Sequence, residues 1–248
     1  MEFKATGRDA NGGYAEYMTV PENFAYAIPE TFSDVQAAPL LCAGAIGYRS
    51  SESHRHQRRR DPRSYRIWRI RPPGAENGPL SVSGVRVFVF ARNKRAGICQ
   101  ILGAVWAGAT EETSPEPLNA IIDTTPAWKP VVEAMKNLDR GGRLVINAIR
   151  KESTDQKLSS QAPLPRPPLD GKEIKSVANV TSRDVFEFIQ LAAEMNVTPE
   201  AENTARRSPI RPLLELKAGN VRGQSTADCI KSLQAEKLTN ISGNGKKQ

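Results

Sequence analysis

Between residues 85 and 148 short apolar runs alternate with one clear helical pattern, and this alternation constrains the fold more than any other feature of the chain. VRVFVFARNK gathers Val85, Val87, Val89, Phe88 and Phe90 into a run of the kind a strand shows when both its faces are covered. LGAVWAG and LNAIIDTTP repeat that character after intervals suited to helices or turns. Trp128, Val131, Val132, Met135 and Leu138 then fall on one helical face, with Gly141-Gly142 as the expected carboxy-terminal cap. The strand pattern RLVINAI follows at once. Strand, helix and strand in succession predict an α/β fold, a parallel sheet with crossover helices. IKSVANV is a further candidate strand, and RDVFEFIQLAAEM a helix with Val185, Phe188, Ile189 and Ala192 inward.

The flanking segments differ in character. GGYAEYMTV alternates Tyr14, Glu16 and Met18 against Ala15, Tyr17 and Thr19 as a strand would, until Pro21. Ser33 or Asp34 is placed to cap an Ala/Leu-rich helix ending near Gly44. From Ser50 to Pro79 the apolar residues follow neither period, which predicts irregular chain. QAPLPRPPLDG is too rich in proline for a helix interior or a central strand, and the polar end from Gln224 is expected to fray.

Charge and cysteine bound the function classes. The net charge of +8 would ordinarily raise nucleic acid or an anionic membrane as partner. Nine Arg between Arg49 and Arg71, set against Glu52 and Asp61, supply +7 of it, so the rest of the chain is near neutral. Arg58, Arg59 and Arg60 with Tyr65 and Trp68 would be the only candidate nucleic-acid patch; without a continuous basic face, neither nucleic acid nor membrane is expected as a partner. No run of about 18 apolar residues and no signal-peptide core occur, so the expected location is the cytoplasm. Cys42, Cys99 and Cys229 lie far apart, which suits a reducing compartment and argues against a disulfide framework.

The run GGYAEYMTVPENFAYAIPETFSDVQAAPLLCAGAIGY, then LDRGGRLVINAI and SVANVTSRD in the same order, resembles the zinc-type medium-chain alcohol dehydrogenases. The resemblance covers roughly 13–48, 85–95, 101–155, 172–199 and 212–223. It implies a Rossmann domain joined to a barrel-like, GroES-like catalytic domain, with only the carboxy-terminal two thirds of such an enzyme represented. The expected organisation is a catalytic-domain remnant over 1–48, a disrupted start of the Rossmann domain over 49–84 and the remainder of the dinucleotide-binding domain over 85–195. A return to the catalytic domain over 196–223 and a disordered tail over 224–248 complete it. The fold class is thus α/β, a partial Rossmann-type parallel sheet with a remnant of the catalytic domain.

The resemblance also implies chemistry: hydride transfer between an alcohol or aldehyde and NAD(P), with Zn2+ polarising the oxygen as a Lewis acid. Cys42 in LLCAG matches the third zinc ligand of the family, and the segments carrying the other two have no counterpart here; His54 and His56 lack a matching motif. One thiolate does not make a catalytic zinc site, so impaired activity is expected, and the plain alternative for Cys42 is a buried free thiol. A noncatalytic remnant or partial dinucleotide-binding module is the alternative function. A homo-oligomer is compatible with the family.

A glycine-rich turn should follow the first Rossmann strand, because only glycine lets backbone N–H groups and a helix amino terminus approach a pyrophosphate. The interval where the family carries it is the Arg-rich segment. With suitable codon choices, Arg66 to Leu80 shifted by one base encodes Gly-Phe-Gly-Gly-Ser-Ala-His-Leu, so a disturbed reading frame is the expected origin of this stretch. After the next strand Arg92 and Lys94, with no carboxylate, lean towards the 2′-phosphate of NADP. Further candidate cofactor contacts are Asp123 and Thr124, Val145 and Asn147, and Ala178 and Asn179, which end apolar runs where parallel sheets bind ligands or match the nicotinamide side of the family. Turn chemistry is the competing reading for each.

Overall fold

The computed structural model describes residues 6–7, 9–12, 17–54, 66–69, 85–91, 104–161, 170–197, 199, 201–204, 214 and 224–227. Its centre is a six-stranded parallel sheet of β1 (Arg66–Arg69), β2 (Arg86–Phe90), β3 (Trp106–Gly108), β4 (Leu118–Asp123), β5 (Leu138–Ile146) and β6 (Glu173–Ser176), in the order β3-β2-β1-β4-β5-β6. The order reverses direction between β1 and β4, which defines a doubly wound sheet and its switch point. The α/β class expected from the alternation of elements is the one observed.

β1 lies inside the segment whose sequence predicts irregular chain. Ile67 pairs with Val87 on one side and Ala120 on the other, so these four residues are a central strand. Strand character here comes from the two neighbours rather than from any period of its own.

Alternate residues of the central strands feed opposite faces. Phe88 and Phe90 of β2 join Ile121 and Leu144 against α3 (Lys129–Asn137), whose Val131, Ala134 and Met135 are buried, while Val87 and Val89 pack on the other face with Ala104. Burying a side chain of the size of Phe88 contributes about 1.5–3 kcal/mol. The helix forms where its apolar face predicts, with Pro130 in the first turn, where its missing N–H costs no hydrogen bond.

Its end differs from expectation. Asn137 closes the helix, because Leu138 is already extended (φ −76°, ψ 133°) with its side chain in the core. Gly141 (φ 67°) and Gly142 instead belong to an irregularity in β5: Leu118 pairs with Leu138, but Ala120 pairs with Arg143. Gly141 serves this loop-out by adopting the left-handed backbone, which suits glycine.

The amino-terminal helices follow from local chemistry. Ser33 caps α1 (Asp34–Pro39) in a reciprocal box with Gln36, with Ser33 N donating to Gln36 Oε1 at 3.0 Å and Gln36 N to Ser33 Oγ at 3.4 Å. Pro39 lacks an N–H to continue the ladder, and a π turn over Leu40–Gly44 leads into α2 (Ala45–Glu52). The helix thus runs beyond Gly44 and into the segment expected to be irregular. α4 (Ser182–Glu194) is capped by Thr181 and Asp184 in a second box and buries Val185, Ile189 and Ala192. Leu40, Ile189 and Ala192 form the core of that region, with Phe188 packed against it.

Residues 17–20 are extended without pairing, Tyr17 and Met18 being 78% and 53% exposed, so the strand expected over this stretch is absent from its described half; residues 13–16 lie outside the described residues. Gln224–Ala227, expected to fray, form β8, which pairs in parallel with β7 (Ala201–Thr204) beside α1. The proline-rich run at 162–169 lies outside the described residues.

Candidate functional site

The carboxyl edge of the sheet is built by the turns that leave β4, β5 and β6. Asp123 pairs with Ile146, and Ile146 with Ser176, so the residues that follow stand side by side at the spacing of neighbouring strands. The backbone N–H of Asn147 donates to Asp123 O at 3.0 Å, and that of Val177 to Ile146 O at 2.9 Å, which extends the ladder beyond the strands. Such an edge beside a switch point is where doubly wound sheets take ligands.

The turn after β4 is held from inside. The Asp123 side chain has no exposed surface; its Oδ1 accepts from Thr125 N at 3.0 Å and Thr125 Oγ1 at 2.7 Å, and its Oδ2 pairs with Lys151 Nζ. Lys151 also donates to the carbonyls of Thr125 and Ala127, both at 2.8 Å, and its ammonium lies 5.9 Å from the Trp128 ring centre. Asp155 Oδ2 accepts from Trp128 N and Lys129 N at 2.8 Å each, so it caps α3 although Trp128 has no capping side chain. Burial alone would raise the Asp155 pKa, but the N–H groups of Lys129 and Trp128 and the charge of Lys151 outweigh it and hold the carboxyl below its ordinary value.

The turn after β5 links the sheet to α2. Asn147 Nδ2 donates to Ser50 Oγ at 2.9 Å, and Ser50, fully buried, donates on to Ile46 O at 2.7 Å. Arg49 pairs with Asp184 at 3.0 Å, and Tyr48 Oη donates to Glu187 at 2.9 Å, so α2 is fastened both to the turn after β5 and to α4. After β6, Ala178 and Asn179 are exposed, and Asn179 takes the left-handed backbone (φ 58°) that lets the chain turn into the Thr181 cap.

Of the residues singled out in the sequence, Asp123, Thr124, Val145, Asn147, Ala178 and Asn179 are therefore gathered along one edge of the sheet. Thr124 and Asn147 are half-buried, Ala178 and Asn179 are open, and the side chains of Asp123 and Val145 have no exposed surface. Arg92 and Lys94 lie outside the described residues. Cys42 sits on the π turn and is exposed, which overturns the reading of it as a buried thiol. No group of three His, Cys, Asp or Glu able to hold a metal is found among the described residues.

Lys151, Asp155 and Ser50 went unnoticed in the sequence. Each acts on a partner more than 20 residues away, within polar stretches that carry no period.

The strand order, the switch point and the three turns on one edge define a Rossmann-type architecture. No family model matches the chain. It is 34% identical over 226 residues to "Probable alcohol dehydrogenase AdhA" of Mycobacterium tuberculosis, a match covering 90% of this chain and 62% of that protein. It is 26% identical over 245 residues to cinnamyl alcohol dehydrogenase 2 of Oryza sativa, covering 90% and 61%. Among solved structures, the alcohol dehydrogenase of Aeropyrum pernix superposes with a TM-score of 0.67 at 19% identity, covering 90% of this chain and 67% of that one. CAD from Helicobacter pylori, complexed with NADP(H), gives 0.65 at 17% identity over 85% and 60%. In sequence and in fold the chain is thus similar to alcohol dehydrogenases. It spans about three fifths of the length of the curated relatives it matches. No helix among the described residues is long and apolar enough to cross a membrane.

Proposed function

We propose that the chain binds NAD(P), with NADP preferred, across the carboxyl edge of its sheet, as the dinucleotide-binding part of an alcohol dehydrogenase-type oxidoreductase. The observation that carries this reading is the switch between β1 and β4 with the turns after β4, β5 and β6 lying along one edge. The names of the relatives and the NADP(H) complex of the Helicobacter pylori protein support it. Thr124, Asn147, Ala178 and Asn179 would meet the nicotinamide half, while the buried Asp123 and Val145 would hold the edge in shape. Arg92 and Lys94, two and four residues after β2, would face the adenosine 2′-phosphate.

In such an enzyme the nicotinamide, when bound, accepts or gives the hydride exchanged with an alcohol or aldehyde. This chain's part is to bind and orient the dinucleotide. Turnover by the chain is impaired in this reading, since Cys42 stands exposed and the described residues do not complete a zinc site around it. A noncatalytic dinucleotide-binding module is the second reading, and the same observation favours it.

Fluorescence titration tests the binding. The expected result is saturable NADPH binding, with NADH weaker, and a loss of that preference in an Arg92→Ala, Lys94→Ala variant. Equal, nonsaturable signals for both nucleotides would end the proposal. Metal analysis separates the two readings: zinc retained at one ion per chain and lost in Cys42→Ser would favour the enzyme, and alcohol-dependent NADP reduction would establish it.

A further inference from the structure

We propose that Lys151 and Asp123 form an internal clamp that sets the turn after β4, which makes Lys151 a positioning residue for the dinucleotide; this rests on the binding reading above. A lysine ammonium has three N–H donors. In this chain its acceptors are Asp123 Oδ2 and the carbonyls of Thr125 and Ala127, so no donor is left for a ligand. The side chain is 11% exposed and that of Asp123 has no exposed surface. Lys151 therefore acts on the turn and not on the bound molecule.

Thr125 is gripped at both ends. Its N–H and hydroxyl donate to Asp123 Oδ1, and its carbonyl accepts from Lys151. The next residues are held from the same strip of chain: Glu152 N donates to Pro126 O at 2.7 Å, Lys151 takes the Ala127 carbonyl, and Asp155 takes the N–H groups of Trp128 and Lys129. Residues 151–155 are thus a template against which 125–129 is laid. Thr124 is the residue between the anchored end of β4 and the gripped Thr125, at the sheet edge beside the switch point.

A buried ion pair is a poor way to gain stability alone, because desolvation of both charges offsets most of their attraction, and an apolar pair of similar volume often serves as well. What an apolar pair cannot do is hold two carbonyls and an N–H in fixed places. That distinction separates a clamp from a stability bridge. Preorganising a binding turn strengthens binding by removing the ordering cost at the moment of association.

The test compares the full chain with Asp123→Leu/Lys151→Met, which leaves no orphaned charge, and with Lys151→Arg. Amide hydrogen exchange of 124–129 is read without ligand, and NADPH affinity by fluorescence titration. In the double variant exchange at Thr125 should quicken by about tenfold or more while β5 is unchanged, and NADPH should bind about tenfold more weakly. Lys151→Arg should recover most of both. A double variant that folds, with exchange over 124–129 and NADPH affinity as in the parent chain, overturns the clamp. If the parent chain does not bind NADPH, the binding reading fails, and the exchange result still decides whether the turn is clamped. If the apolar pair does not fold, the uncharged pair Asp123→Asn/Lys151→Met, which keeps an acceptor for Thr125 and removes the donor to both carbonyls, carries the same two readouts with the same expected and overturning results.

Discussion

Asp155 shows how much of the sheet's carboxyl edge depends on single remote side chains. It supplies the cap that Trp128 cannot, and a cap of this kind is worth about 1 kcal/mol. Asp155→Ala should lower stability by that amount at neutral pH, as measured by urea denaturation. Because the folded carboxyl is held below its ordinary value of 3.8, its contribution is complete above that value and is lost as pH falls through the lower native one. The difference between parent and variant should therefore shrink as pH falls below the ordinary carboxyl value. A difference that stays constant down the acid range would mean that Asp155 acts through packing and not through charge. Nothing local in the sequence announced this residue, since a cap normally sits at its own helix's first turn and this one arrives from 26 residues downstream. That Thr124 and Asn147 stand at strand ends was legible because they close apolar runs, a position that a strand pattern fixes directly, whereas Asn179 was singled out only by resemblance.

At the scale of elements, the π turn that leads into α2 approaches α4 closely. A Cβ placed on Gly44 would lie 2.2 Å from Phe188 Cε1, so glycine is required there by close approach rather than by backbone conformation. Gly44→Ala gains about 1 kcal/mol of helix propensity but must displace a ring packed against Tyr48 and the Leu40 cluster, an overpacking cost of about 1–3 kcal/mol. The substitution should destabilise the parent chain and stabilise a Phe188→Leu chain. That reversal of sign is read from a double-mutant cycle in urea, and additive effects would show that the ring yields freely. Of the two helices, α4 was legible from its apolar face, whereas α2 was not, because the expected helix stops near Gly44. Their mutual closeness was not legible either, because a period reports which face is inward and not how near the partner comes. The strand β1 marks the opposite failure: RIWR has no pattern of its own, and only pairing with β2 and β4 makes it a strand.

For the whole molecule, the parallel class was legible from alternating strand and helix signals, whereas the strand order was not, because periodicity says nothing about which strand lies beside which. With β1 between β2 and β4 the turns share one edge, and the proposed binding there makes a thermodynamic demand. A ligand that binds the folded chain and not the unfolded one stabilises it by mass action, about 2.7 kcal/mol at a hundred times its Kd. For a chain of 248 residues each kcal/mol moves the melting midpoint by about 2–4 °C, so NADPH near that concentration should raise it by about 5–10 °C. The rise should keep growing with the logarithm of NADPH concentration, since linkage to a single site does not saturate. An intact phosphate-binding turn after β1 is not needed for a shift, only for a large one, so its size measures how much of the cofactor is held by the turns after β4, β5 and β6. A midpoint that is the same with and without NADPH across millimolar concentrations would leave the sheet as a fold without its ligand.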